Sequence, residues 1–175
     1  MILYPQAQTK AEINEILTLQ SQNLPKNLGP LEIQKEGFLT VEHNFDLLWE
    51  MNTSFPHTLA KEHGKVVGYA LSMTPKFALD IPVLKSMFEE IEKVFKGGEY
   101  IVMGQICVAK THRGQGVFRG LYKNMQTYTR DTFGSIITEV DIKNIRSMNA
   151  HKAIGFKELS RYAADEKVWS LIQLK

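Results

Sequence analysis

The segment that decides the fold of this 175-residue chain is His112-Arg113-Gly114-Gln115-Gly116-Val117-Phe118-Arg119-Gly120. It follows an apolar, strand-like stretch at 101–108 and precedes a helix-like stretch at 117–133. A glycine-rich turn between a strand and a helix exposes backbone N–H groups at the helix N-terminus, where the helix dipole also favours negative charge. The segment therefore predicts a site that binds a phosphorylated ligand.

Two other phosphate-binding motifs also place glycines before a helix. A Walker A loop needs Gly-Lys-Ser/Thr after its glycines, but Val117 follows Gly116 here. Gly114, Gly116 and Gly120, with Glu139 about 20 residues further on, come closer to a dinucleotide-binding fingerprint. Only about sixty residues follow the turn, too few for most of a doubly wound sheet. Dinucleotide binding and a turn without a ligand stay as alternatives.

Composition and charge are those of a globular protein of one domain. Hydrophobic residues make up 43% and charged residues 23%, as is usual for such proteins. The net charge of +2 is too small to favour nucleic-acid binding. No stretch approaches the ~18 apolar residues of a membrane span, and residues 1–10 lack the pattern of a signal peptide. The charge and the short apolar runs lead us to expect no nucleic-acid or membrane partners. Because Cys107 is the only cysteine, we expect a reduced, cytoplasmic protein.

Periodicity along the rest of the chain predicts helices and strands on both sides of the turn. Thr9 and Glu12 form the pattern of a capping box, which begins a first helix. The other predicted helices lie at 46–51, 82–96, 117–133 and 145–154, and the predicted strands at 2–4, 58–61, 66–73, 100–108, 135–142, 156–163 and 167–174. This order predicts one α/β domain over 1–175, with a mixed central sheet flanked by helices.

The turn also resembles a family signature. Arg113-x-x-Gly116-Val117, five residues after Val108 at a predicted strand end, resembles the R/Q-x-x-G-x-G/A motif of the GNAT acyl-CoA N-acyltransferases. The chain departs from the motif at its last position, where Phe118 stands in place of Gly or Ala. Gly116 is present, so the departure leaves the predicted phosphate site in place.

A second GNAT-like segment follows the turn. The family pattern N-x-x-A/S … Y/H-x-x-x-G-F is matched by Asn144-x-Arg146-Ser147, His151 and Gly155-Phe156. With the turn, the resemblance covers about 100–156. It implies the GNAT-like acyl-CoA acyltransferase fold, with the sheet splayed between the strands that begin at Tyr100 and Ser135.

The resemblance implies acetyl-CoA, or another acyl-CoA, as cosubstrate. The pyrophosphate is expected on the N–H groups of the turn, and the pantetheine arm beside the preceding strand, whose N–H groups would also polarise the thioester carbonyl. Asn144 is expected to contact the cofactor, with a helix N-cap as its alternative role. The cofactor-binding residues expected on this basis are Ile106, Cys107, Val108, Arg113, Gly114, Gln115, Gly116, Val117, Phe118, Arg119 and Asn144.

Two residues are expected to be catalytic. Glu139 occupies the position, five before Asn144, where some family members carry the general base that deprotonates the amine; a salt bridge near solvent is the alternative. His151 aligns with the family's general acid toward the CoA thiolate; hydrogen bonding to the sulfur, or plain packing, are alternatives. The expected activity is N-acetyl transfer to a small-molecule or peptide amine by direct attack in a ternary complex. A CoA-binding sensor or scaffold without turnover is the alternative function.

Specificity is expected from two variable segments, the loop at 23–29 and a helical insertion at about 74–98 that core GNAT layouts lack. Phe77, Asp80 and Phe88 of the insertion line an acceptor pocket in one interpretation. In the others its apolar face packs on the sheet or forms a homodimer interface. Four histidines, His43, His57, His63 and His112, lack metal-ligand spacing, so no metal site is expected.

Overall fold

The computed structural model describes residues 1–29, 31, 38–39, 41–79 and 81–175. Asp80, one of the predicted pocket residues, lies outside them. The helices are α1 (Lys10–Ser21), α2 (Phe45–Ser54), α3 (Lys85–Val94), α4 (Val117–Thr129) and α5 (Ile145–Ala153). The strands are β1 (Thr58–Glu62), β2 (Lys65–Met73), β3 (Tyr100–Val108), β4 (Ser135–Asp141), β5 (Lys157–Ala164) and β6 (Lys167–Leu174).

The strands form a mixed sheet, as the sequence predicts. Its strand order is β1-β2-β3-β4-β6-β5. The β1/β2, β4/β6 and β5/β6 pairs are antiparallel, whereas β3 runs parallel to β4 from the Tyr100–Ser135 pair to the Val102–Ile137 pair. Because β4 is separated from β5 by β6, a side chain of β5 must reach across one strand to contact β4.

Residue contacts divide the described chain into two compact units. The first comprises Met1–Met73 and Met103–Tyr128. Its first helix begins with the predicted capping box, since Thr9 accepts from the Glu12 N–H and Glu12 accepts from the Thr9 N–H. Fully buried side chains of β2, among them Tyr69 and Leu71, contribute to its core.

The second unit comprises Thr74–Val102 and Thr129–Lys175. Helix α3 of the insertion packs on β5 and β6 and buries Met87, Phe88 and Ile91. Phe77, before that helix, is also fully buried. The sequence left three roles open for the insertion: an acceptor pocket, packing on the sheet, and a homodimer interface. The burial of these side chains shows packing on the sheet.

Two tight turns close the antiparallel hairpins. The β1–β2 turn has positive φ at His63 (48°) and Gly64 (79°), and the β5–β6 turn has positive φ at Asp165 (51°) and Glu166 (60°). Two successive residues with positive φ are the mark of a type I′ turn, whose twist matches that of the flanking strands. The second turn places Asp165 beside the site described below.

Some predicted boundaries differ from the structure. Pro82 lies in a separate 3₁₀ turn, Pro82–Leu84, and α3 begins only at Lys85 and ends at Val94. A proline fits this turn because it lacks the N–H that the first helical turn leaves unpaired. The predicted strand at 2–4 is reduced to isolated bridges, Leu3 to Lys61 and Gln6 to Thr58. Within the described ranges, no helix has the length and apolar character needed to span a bilayer.

Candidate active site

The glycine turn of the first unit has the geometry of an anion site. Gly114 and Gly116 have φ values of 73° and 80°, and a Cβ built on either would meet no atom within 4 Å. Helix α4 begins directly afterwards, and its first turn closes with the Gly120 N–H donating to the Gly116 carbonyl at 2.9 Å. The space above the turn therefore gives a phosphate close access to the helix N-terminus.

Side chains in and beside the turn make contacts that hold its backbone in place. Nε of Arg113 donates to the Val108 carbonyl at 3.1 Å, and its Nη2 donates to Oδ1 of Asn23 at 2.6 Å. The guanidinium thus ties the end of β3 to the loop after α1, a role that the sequence did not indicate. Arg119 is exposed. Phe118 is partly buried, and its ring packs edge-to-face on Tyr122 with centroids 5.2 Å apart.

Alternation along β3 separates the three predicted pantetheine contacts. The Ala109 N–H donates to the Val67 carbonyl of β2, and the Cys107 carbonyl lies against Gly68 of the same strand. Because successive backbone groups point to opposite edges of a strand, those of Ile106 and Val108 point away from β2. The Cys107 thiol is buried, which raises its pKa to about 12. Cys107 thus packs in the core like a small apolar residue.

A cavity of about 450 Å³ lies beside the turn. It is lined by Leu19, Ser21, Gln22, Asn23, Asn27, Ala109, Lys110 and Thr111. Part of its wall is the loop at 23–29, from which the sequence led us to expect specificity.

The second unit holds a carboxyl group in an unusual environment. Glu139 lies on β4 between the buried Thr138 and Val140, and the Tyr162 hydroxyl donates to its Oε2. The pKa of Glu139 is raised from 4.5 to about 7, mainly by burial and also by the nearby Asp165, whereas Tyr162 and Lys167 act in the opposite direction. A carboxyl group with this pKa is half ionised at neutral pH and can accept a proton there.

His151 is a buried neutral ring in the same unit. Its Nδ1 lies 2.8 Å from the Ser147 carbonyl, which can only accept, so Nδ1 carries the proton and Nε2 is the unprotonated nitrogen. Burial lowers the pKa of His151 to about 4, and the ring packs edge-to-face on Phe156. A neutral His151 can accept a hydrogen bond through Nε2, whereas acting as an acid would require it to be protonated first.

Asn144 caps helix α5. Its Oδ1 accepts from the Ser147 N–H at 3.1 Å, which is the N-cap role left open by the sequence. Asn144, Glu139 and His151 all belong to the second unit, whereas the turn and the end of β3 belong to the first.

Comparison with known proteins identifies the family. The model of the acetyltransferase (GNAT) family matches residues 15–156. The chain belongs to the GNAT acetyltransferase family. No curated protein was found to match the sequence.

Solved structures share the GNAT fold. A crystal structure of the NatC complex bound to Gag peptide and CoA is similar with a TM-score of 0.68 at 14% identity, over 99% of this chain and 97% of that one. The putative acetyltransferase yncA from Salmonella typhimurium, with its cofactor acetyl-CoA, gives 0.67 at 17% identity, over 100% and 94%. The ribosomal-protein-S18-alanine N-acetyltransferase from Escherichia coli gives 0.65 at 11%, over 99% and 93%. Acetyl-CoA, the cosubstrate expected from the GNAT motifs, is thus bound in one of these structures, and CoA is bound in another.

Membership of the GNAT family favours an acyl-CoA ligand over the dinucleotide-binding alternative. The third glycine of that pattern, Gly120, has a local reason in this GNAT chain, because a Cβ there would collide with the ring of Tyr4. Sequence reasoning missed Tyr162, Asp165 and Lys167, which surround Glu139. The only available signal was the turn at Asp165-Glu166, which predicts a hairpin but not the residues that it faces.

Proposed function

We propose that this protein is an N-acetyltransferase that moves the acetyl group of acetyl-CoA to a primary amine, by direct attack in a ternary complex. The observation that carries this proposal is the carboxyl group of Glu139, which is partly buried on β4 and accepts a hydrogen bond from Tyr162. Burial raises its pKa to about 7, which suits a general base at neutral pH. GNAT membership and CoA-bound relatives support the donor.

The first unit would hold the donor. The open turn at Gly114 and Gly116 fits a pyrophosphate, since the donors there are backbone N–H groups at the start of a 13-residue helix. The outward backbone of Ile106 and Val108 suits the extended pantetheine arm. Acetyl-CoA, when bound, supplies an acyl group activated as a thioester.

Glu139 would begin the reaction by taking a proton from the acceptor ammonium. The free amine then forms the new C–N bond as the C–S bond of the thioester breaks. A second proton leaves the nitrogen and ends on the CoA sulfur, while the proton held by Glu139 passes to solvent. The balance is one amide, one thiol and one released proton per turnover.

We assign His151 a role toward the thiol of CoA. Since its Nδ1–H donates to the Ser147 carbonyl, Nε2 is the ring nitrogen whose lone pair can accept a hydrogen bond. This favours the hydrogen-bonding role over that of general acid, because burial lowers the pKa of the ring to about 4.

The acceptor class is an amine of a small molecule or peptide. Relatives by fold include NatC bound to Gag peptide and an enzyme named for an alanine of a ribosomal protein.

A ligand panel followed by an amine panel tests the proposal. Acetyl-CoA or CoA at 100 times its Kd stabilises the fold by about 2.7 kcal/mol, which raises Tm by roughly 5–10 °C at this chain length. NAD and ATP at the same concentration serve as controls and should leave Tm unchanged. Turnover with at least one amine completes the test. A Tm shift without turnover on any amine would favour the non-catalytic CoA-binding module, and no shift with either CoA species would overturn the proposal.

A further inference from the structure

The bond between Tyr162 and Glu139 joins two strands that are not neighbours. Glu139 on β4 pairs with Leu171 on β6, and Leu171 pairs with Ser160 on β5. Tyr162 lies two residues beyond Ser160, so its side chain is on the same face of the sheet. Its hydroxyl must therefore reach over β6 to donate to Oε2 of Glu139.

This bond leaves the other carboxyl oxygen of Glu139 for a ligand. In the described part of the chain, no hydrogen bond is made to Oε1. A carboxylate held by one oxygen keeps a single orientation, and its second oxygen has lone pairs available for a proton.

Charged groups around the pair come from three elements. Asp165 lies in the β5–β6 turn, Lys167 begins β6, and Glu90 lies on α3, which packs against both strands. Burial and the negative charges of Glu139, Glu90 and Asp165 raise the pKa of Tyr162 far above its ordinary value. The hydroxyl therefore stays protonated and remains a donor throughout the working pH range.

We propose that Tyr162 is a positioning residue for proton transfer at Glu139, holding Oε2 so that Oε1 receives the proton of the acceptor ammonium. This inference rests on the proposed function. The hydroxyl also selects the protonation state, because a hydrogen bond donated to a carboxylate favours its ionised form. Tyr162 thus opposes the burial that would otherwise keep Glu139 protonated.

Tyr162→Phe removes the hydroxyl and keeps the ring. The rising limb of kcat/KM against pH should move up by about one pH unit, the size expected for losing one bond to a charged group. At pH 6 this shift lowers kcat/KM about tenfold, whereas at pH 9 and above only the smaller loss from the disturbed carboxylate orientation remains. A merely structural role would lower kcat/KM by the same factor at every pH, and such a uniform loss with an unmoved limb would overturn the proposal.

Tyr128→Phe is the matched control. The Tyr128 hydroxyl donates to the Tyr4 carbonyl at 2.7 Å, in the other unit of the chain. Removing it deletes a tyrosine hydrogen bond of the same kind without touching Glu139, so the pH profile should keep its midpoint.

A direct titration separates failure of this inference from failure of the proposed function. In protein labelled with ¹³C at glutamate carboxyl carbons, one resonance should titrate near pH 7, disappear in Glu139→Gln and titrate about one pH unit higher in Tyr162→Phe. This measurement requires no acceptor, so it decides the coupling even if no amine is acetylated. An identical midpoint in wild type and Tyr162→Phe would refute it.

The wild-type protein provides a second measurement if Tyr162→Phe does not fold. With ¹³C at the tyrosine Cζ, one tyrosine signal should follow the Glu139 titration, and this dependence should vanish in Glu139→Gln. If no tyrosine signal responds near pH 7, the proposal fails.

Discussion

Replacing the proposed base should make the protein more stable and less active. Glu139→Gln keeps the shape of the side chain and an oxygen that accepts from Tyr162, and it removes the ability to ionise. Folding raises the pKa of Glu139 from 4.5 to about 7. The folded wild type therefore binds a proton more tightly than the unfolded chain does. The stability that this contributes is fully present below pH 4.5 and is lost as the pH rises through 7.

The size of the effect follows from the pKa change. A rise from 4.5 to about 7 corresponds to up to about 3 kcal/mol at alkaline pH and to less than about 1 kcal/mol at pH 5. Glutamine does not lose this stability, because it stays neutral at every pH. The difference in the free energy of unfolding between the variant and the wild type should therefore grow by about 2 to 3 kcal/mol from pH 5 to pH 8.

Urea unfolding of both proteins at pH 5, 6, 7 and 8 measures this difference. The variant should also lose at least about a hundredfold in kcat/KM, the usual contribution of a general base. A stability difference that does not change with pH would refute the reasoning, because it would mean that the carboxyl group titrates alike in the folded and unfolded chain.

Three further predictions concern the turn, the cysteine and the first helix. Gly116→Ala and its matched control Gly64→Ala place a side chain at φ 80° and 79° in open space, so each variant should lose about 1–2 kcal/mol of stability. Only Gly116→Ala should also lose the rise in Tm that acetyl-CoA causes. Equal Tm shifts in the two variants would contradict the assignment of the turn. Cys107, whose buried thiol has a pKa raised to about 12, should resist a thiol reagent at pH 8 until urea unfolds the chain, and rapid labelling of the native protein would disprove its burial. Thr9→Ala should lower the free energy of unfolding by about 1 kcal/mol through loss of the helix cap, as measured by urea titration; an unchanged value would mean that the cap adds nothing.

The sequence predicted the features that depend on neighbouring residues. The capping box at Thr9 and the glycine turn at Gly114 and Gly116 each follow from local sterics or local hydrogen bonding. The family motif is of the same kind, because its residues lie in one continuous strand–turn–helix segment. These parts of the fold, including the turn that we propose binds phosphate, were therefore predictable before the structure.

Boundaries and surroundings were harder to predict. The periodic pattern placed Pro82 inside a helix, although it lies in a separate 3₁₀ turn before α3. The pattern of residues 2–4 is typical of a strand, yet the backbone pairs only at isolated bridges. Apolar periodicity shows which residues prefer burial, but it does not determine where the regular hydrogen bonding begins.

The sequence by itself determined the fold class, the family, the turn and the presence of Glu139 and His151. Only the tertiary structure decided what surrounds them, because burial and charge arise from residues that are distant in the chain. Tyr162 reaches Glu139 over a separation of 23 residues, and Arg113 reaches Asn23 over 90. The same folding that buries Glu139 raises its pKa to about 7, whereas burial of His151 lowers its pKa to about 4. Burial always disfavours the charged form, so it shifts an acid and a base in opposite directions, and no local pattern encodes its depth.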